Sequence, residues 1–138
     1  MKIIVGQSAS FSKTISESDV YGFAGIVGDF NEIHINQAKA EKSIFGSRIA
    51  HGMLVGSLIS TVIGMYLPGP GAIYLEQDLK FKKPVFIGDT VTAMVVVSEI
   101  INKEKGIMKL NTTISNQREE IVTDGYAIIK YLEEIDDE

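Results

Sequence analysis

The segment spanning residues 49–67 constrains this chain more than any other. It contains no Asp, Glu, Lys or Arg; its polar side chains are His51, Ser57, Ser60, Thr61 and Tyr66. The spacing predicts a helix over residues 52–66. That helix is apolar nearly all round, so it is expected to be buried rather than to lie at a surface. A membrane span is disfavoured. The length is borderline for a bilayer, the glycines and hydroxyl residues dilute the segment, and Pro68-Gly69-Pro70-Gly71 ends it. Gly52, Gly56, Ser60 and Gly64 fall four apart, which lines up small residues on one face of the helix. Such a stripe admits either a closely packed sheet or a ligand.

The second half of the chain reads as strand. Residues 72–81 contain an apolar/polar alternation. Residues 89–101 are rich in Val and Thr and lead into the turn Asn102-Lys103-Glu104-Lys105-Gly106. In residues 107–115, Met108, Leu110, Thr112 and Ile114 alternate with Lys109, Asn111 and Thr113. Asn116-Gln117-Arg118-Glu119 is the next turn, and residues 121–132 close the series. Long strands joined by short polar turns predict an antiparallel meander. Its apolar face needs a cover, and the uncharged helix is the one element suited to that. The expected architecture is α+β: a long antiparallel sheet wrapped around one buried central helix. No linker or internal repeat divides residues 1–138, so a single domain is expected.

Composition narrows the function. The net charge is −5 with no basic stripe, which argues against nucleic acid as a partner. Part of the acidic excess lies in the tail Glu133-Glu134-Ile135-Asp136-Asp137-Glu138, which is expected to fray in solvent. With no cysteine there are no disulfides or thiolate zinc sites. That fits a cytoplasmic protein, and the N-terminus lacks the apolar core of a signal peptide. No metal or other cofactor is expected.

The chain has only two histidines, so acid–base chemistry near neutral pH has few places to reside. Ser16-Glu17-Ser18-Asp19 opens a helix with capping-box spacing, and Val20, Phe23, Ala24 and Val27 follow at helical spacing. Gly28 can end that helix in a left-handed cap. The run Gly28-Asp29-Phe30-Asn31-Glu32-Ile33-His34 then places an acid and an imidazole in the loop beyond it. Residues 38–42 suit one short polar helical turn. His51 opens the apolar helix and is expected to position Gly52 rather than to carry protons.

Taken together, these residues resemble the MaoC-like, or hydratase-2, family, and most of all its small single-domain (R)-specific enoyl-CoA hydratases. The resemblance runs from Tyr21 through Gly28-Asp29-x-Asn31-x-x-His34 to His51-Gly52-Met53. It continues in Gly71-Ala72-Ile73-Tyr74-Leu75 and in Phe81-Lys82-Lys83-Pro84-Val85-Phe86-Ile87-Gly88-Asp89, covering roughly residues 8–130. One position departs: the family usually has proline where this chain has Glu32. The resemblance implies a hot-dog fold, a homodimer, and hydration of trans-2-enoyl-CoA to (R)-3-hydroxyacyl-CoA. Asp29 and His34 would be the acid–base pair that holds the water, with their individual roles open. Asn31 would orient the pair or fix the loop. Gly52 would offer its backbone N–H to the thioester carbonyl, as a helix N-terminus can. Ser60 would line the acyl tunnel or support the pair, and Ile63 would floor the pocket. The carrier could be CoA or an acyl-carrier protein, and the product would suit fatty-acid metabolism or polyhydroxyalkanoate precursor supply. A hot-dog thioesterase and a non-catalytic acyl-thioester-binding subunit are the alternatives.

Overall fold

The first helix begins where its capping residues dictate. In the computed structural model, which describes residues 2–132, strand β1 (Ser8–Thr14) leads into helix α1 (Glu17–Val27). Ser16 accepts the Asp19 N–H, and Asp19 accepts the Ser16 N–H in return. That backbone bond from Ser16 is the main reason the Asp19 carboxyl is held below its ordinary pKa. At the other end Gly28 takes φ 80° and returns its N–H to Ala24. A side chain would be strained there. Val20 and Ala24 are fully buried, whereas Val27 is half exposed.

Two short helices follow, α2 (Glu32–Ile35) and α3 (Gln37–Glu41), and then the long helix α4 (Gly52–Met65). Strands β2 (Ile73–Phe81), β3 (Thr90–Asn102), β4 (Ile107–Ser115) and β5 (Ile121–Lys130) complete the chain. They form a five-stranded sheet in the order β1-β3-β4-β5-β2, with every pair antiparallel. This is the hot-dog arrangement. The acidic tail 133–138 lies outside the described residues.

β3, β4 and β5 form the expected meander; β2 does not. It pairs with β5, from Ile73↔Lys130 to Phe81↔Thr123. The edge of β3 that a simple meander would give to β2 is taken by β1, from Ser8↔Val96 to Thr14↔Thr90. The inner face of the sheet carries Val91, Ala93, Val95, Val97, Leu110, Ile114, Ala127 and Ile129, all buried. They form one core with Val55, Ile59, Val62 and Ile63 of α4. Burying each such aliphatic side chain is worth about 1.5–3 kcal/mol.

Helix α4 is not enclosed on every side. Met53 is 60% exposed and Met65 63% exposed, and Ser57, Ser60 and Gly64 also face outward. The sheet curls across only one side of the helix. The small-residue stripe therefore divides. A Cβ at Gly52 would meet the Phe81 ring at 2.8 Å and one at Gly56 would meet Leu79 at 2.8 Å, whereas Gly64 faces open space. Side chains of β2 pack onto the small-residue face in the first half of the helix and leave that face open in the second half.

Where β2 meets β5, Gly125 sits directly against the Asp78 carbonyl. The register shifts between Tyr74 and Glu76. Beside that irregularity, Gln77 Nε2 donates to Thr112 Oγ1 and to the Tyr126 carbonyl, each at 3.1 Å. The Tyr74 hydroxyl donates to Gln77 Oε1, and burial raises its pKa to about 12. Among the described residues, no helix is long and apolar enough to cross a membrane.

Candidate active site

Three pieces of chain meet at one place: the turn after α1, helix α2, and the start of α4. Gly28 reverses the backbone so that Asp29 leaves the helix axis. Asp29 Oδ1 accepts the Asn31 N–H at 3.1 Å, and Asn31 Oδ1 accepts the Ile33 N–H at 3.3 Å. Asn31 is thus the N-cap of α2, and it fixes the loop by the ordinary chemistry of a helix start. His34 is carried on α2, not on the loop that the sequence pattern predicts.

One oxygen or nitrogen atom from each of the Asp29, His34 and His51 side chains lies within 4.8 Å of the other two. His34 is 7% exposed and His51 3% exposed, while Asp29 is open to solvent. His34 Nδ1 lies 2.7 Å from the Ile49 carbonyl, and His51 Nε2 lies 3.0 Å from the Asp29 carbonyl. A carbonyl oxygen only accepts, so each of those nitrogens carries a hydrogen. His34 therefore keeps Nε2 for proton exchange. The two rings stack at 3.9 Å and 26°, and Phe23 packs on His51 at 5.0 Å. Imidazole lone pairs lie in the ring plane, so stacked rings hold theirs in two roughly parallel planes 3.9 Å apart rather than converging on a point between them. That geometry suits proton transfer better than closure around one metal ion.

The electrophilic half lies at the start of α4. His51 precedes the helix without capping it through its side chain. Among the described residues, the N–H groups of Gly52 and Met53 donate to no protein acceptor. They are free to receive a developing oxyanion. A cavity of about 450 Å³ opens beside them, lined by Phe45, Met53, Phe81, Pro84, Lys82 and Lys83 among others. Its wall includes Ile49, whose carbonyl holds His34, and Gly52, whereas Asp29, His34 and His51 lie outside its lining. Lys83 is paired with Glu120 at 2.9 Å.

Residues 3–119 match the family described as MaoC like domain. The chain belongs to the MaoC-like family. It is 50% identical to the (R)-specific enoyl-CoA hydratase of Rhodospirillum rubrum over 125 residues, which cover 90% of this chain and 85% of that protein. It is 48% identical to the 3-hydroxybutyryl-CoA dehydratase of Methylorubrum extorquens over 126 residues, covering 91% and 79%. The solved (R)-hydratase of A. caviae, described as involved in PHA biosynthesis, superposes with a TM-score of 0.91 at 42% identity, covering 94% of this chain and 98% of that one.

In this MaoC-like chain the remaining expected residues fall in different places. Ser60 is on the uncovered face of α4, with no hydrogen bond to Asp29 or His34 among the described residues. Ile63 is 1% exposed and sits in the core, away from the lining of the cavity beside Gly52. Asp89 accepts the Phe86 N–H at 2.9 Å, a turn role. One contributor carries no mark in the sequence. Arg48 pairs with Glu17 at 2.7 Å, donates to Gln37 at 3.0 Å and donates to the Tyr21 hydroxyl. Tyr21 in turn donates to the Ile35 carbonyl at 3.2 Å. This cluster ties α1 and α3 to the residue just before Ile49, whose carbonyl holds His34. A lone arginine before an apolar segment gives no local signal of such a role.

Glu32 is the position at which this chain departs from the family's proline. It opens α2 and pairs outward with Lys39 at 3.2 Å, so its charge is directed away from His34. The backbone there already suits proline. Asn31 has ψ 131°, outside the α region that a following proline disfavours, and proline favours the first helical position. Glu32→Pro is expected to keep activity and to raise stability by about 0.5–1 kcal/mol, less the small value of an exposed ion pair. Denaturant melts of the two proteins measure this.

Burial is the largest influence on His34 and lowers its pKa from the ordinary 6.5. The Ile49 carbonyl raises it, a positive charge on His51 would lower it further, and Asp29 raises it. The net direction is down, so the ring stays neutral to below pH 6.5. Its contribution to stability is therefore complete above that pH and is lost as the pH falls through the lowered value. The acid limb of kcat/KM is expected below pH 6.5, as a pH–rate profile would record.

Proposed function

We propose that this protein is an (R)-specific enoyl-CoA hydratase, which adds water across trans-2-enoyl-CoA to give (R)-3-hydroxyacyl-CoA and runs the reverse dehydration. The observation that carries this reading is the neutral, tautomer-fixed His34 beside the Asp29 carboxylate, next to the two unpaired N–H groups at the start of α4. Water held between Asp29 and His34 Nε2 loses a proton as its oxygen bonds C3 of the enoyl group. The thioester oxygen, now enolate-like, is held by the Gly52 N–H. The pair then returns a proton to C2. A neutral imidazole and a carboxylate at rest make the pair a base first and an acid second. No metal or organic cofactor is required, because the thioester itself stabilises the charge at C2.

The cavity beside Gly52 is of the size that small-molecule sites commonly have and would accommodate the thioester end of the substrate. Lys82, exposed in its lining, fits an anionic carrier, while Lys83 beside it is already paired with Glu120. Ser60, on the open face of α4, would act further along, against the acyl chain; Ile63 is buried in the core and contributes only to the packing behind that face. Two copies of the chain would enclose that tunnel. The uncovered face of α4, with Met53 and Met65, and the exposed Ile73, Leu75 and Phe81 of edge strand β2 form an apolar surface that a second copy would cover. A homodimer working in the cytoplasm is therefore part of the proposal, with (R)-3-hydroxyacyl thioesters available to fatty-acid metabolism or polyester synthesis.

The test is loss of enoyl-thioester absorbance across a ladder of acyl lengths, with chiral analysis of the product. Consumption with (R) product is expected; untouched substrates or an (S) product would refute the reading. Release of free thiol would point to a thioesterase instead. Light scattering tests the dimer.

A further inference from the structure

We propose that His51 is a positioning residue for the acid–base pair: its Nε2–H tethers the Asp29 carbonyl while its ring forms a neutral platform beneath His34. The proposal rests on the reading of Asp29 and His34 as that pair.

Three other roles for His51 are eliminated by its surroundings. Its side chain does not cap α4: the residue occupies the N-cap position but its ring makes no cap hydrogen bond. It is poorly placed to carry protons between substrate and solvent. Nε2 is committed to the Asp29 carbonyl at 3.0 Å, and Nδ1 is buried with no hydrogen-bond partner. It is not a filler chosen for stability, since a buried acceptor without a partner costs free energy that phenylalanine would avoid. The remaining role lies in the groups it holds. The Asp29 carbonyl lies 22 residues away in sequence, on the turn that aims the Asp29 side chain. The His34 ring lies 3.9 Å away, face to face.

The arrangement also requires His51 to be neutral. A proton on Nδ1 would be buried without an acceptor, and the cation would stack against His34. The groups that face His51 are Asp29 from the turn, His34 from α2 and the Phe23 ring from α1. The two imidazoles therefore take opposite tautomers, with the hydrogen on Nδ1 of His34 and on Nε2 of His51. Each is set by a backbone carbonyl, and a single neutral pair results.

Because the chain has two histidines, long-range proton–nitrogen NMR of wild-type protein labelled with ¹⁵N-histidine resolves both rings. The expected spectrum at pH 7 shows one Nδ1–H ring, assigned to His34, and one Nε2–H ring, assigned to His51. An Nδ1–H tautomer or a cation at His51 overturns the proposal without reference to activity. Two variants then separate tether from platform. His51→Phe keeps a ring and drops the donor. His51→Gln places an amide N–H near the position of Nε2. His51→Phe is expected to lower kcat about tenfold or more, as misplacement of reacting groups does, with KM nearly unchanged. His51→Gln is expected to recover most of that loss. Equal rates in wild type and His51→Phe, or a His51→Gln variant as slow as His51→Phe, overturn the tether. Asp29→Asn and His34→Asn are run alongside. If they retain the wild-type rate, the acid–base reading fails, and the tautomer spectrum still decides the contact of His51.

Discussion

Asp29→Asn and His34→Asn each lose at least about 100-fold in hydratase turnover, the usual worth of a positioned acid–base group, with the fold intact. The substitutions are chosen to spare the scaffold. Asparagine at 29 keeps an Oδ1 to accept the Asn31 N–H, so the turn into α2 survives. Asparagine at 34 places an amide N–H near the position of Nδ1, which retains the bond to the Ile49 carbonyl and removes only the nitrogen that exchanges protons. His34 is 7% exposed, so the smaller side chain leaves some empty volume and costs about 1–2 kcal/mol. Asp29 is exposed and costs less. Because the two groups act on one water, the double variant is expected to be little slower than the worse single one. Steady-state kinetics with melting curves measure both effects. Near-normal rates in either variant would remove that residue from the mechanism.

Gly125→Ala produces the largest loss of stability, about 3 kcal/mol, which lowers Tm by about 10 °C in a domain of this size. Gly125 pairs with Leu79 on one side and Thr112 on the other. A Cβ there would overlap the Asp78 carbonyl oxygen and lie 2.7 Å from its carbon. Both atoms belong to the backbone of β2, so nothing short of moving that strand relieves the contact. Lifting β2 also lifts Leu79 and Phe81 from Gly56 and Gly52. Gly56→Ala is the control. Its Cβ meets Leu79 Cδ1 at 2.8 Å, the end of a flexible side chain that can turn aside. Alanine is also the better helix former, by about 1 kcal/mol. Thermal melts of the two variants should differ widely, and similar melting points would show that β2 is free to shift.

Features set within a few residues are legible in the sequence. The Ser16–Asp19 capping box, the left-handed Gly28, the strand at residues 107–115 and the turns on either side of it depend on neighbours no more than a turn or a hairpin away. The family resemblance then identifies Asp29, His34 and Gly52 as residues of one site. Its signature, however, concerns which residues occur at which spacing. It says nothing of the tautomer of His34, which depends on a carbonyl 15 residues away.

Expectations fail where distant parts of the chain compete for the same partner. A simple meander puts β2 beside β3, but β1 occupies that edge from the other end of the chain. The helix from Gly52 has no polar face, which predicts that it is enclosed. Its burial instead depends on how far the sheet curls, and that in turn depends on β2 resting on Gly52 and Gly56. Arg48 carries no local signal, since its partners Glu17, Tyr21 and Gln37 are assembled only by the fold.

By itself, the sequence determined the local elements and the helix-and-sheet architecture, and its resemblance to the family nominated an acid, an imidazole and a helix-start glycine for the proposed site. Those depend on periodicity, capping and motif spacing, which act along the chain. Only the tertiary structure decided which nitrogen of each histidine is free, that His51 is bonded to Asp29 and stacked on His34, and which side of α4 stays open. Those depend on carbonyls and rings brought together across the sheet and its loops, where direction and distance in space decide the chemistry.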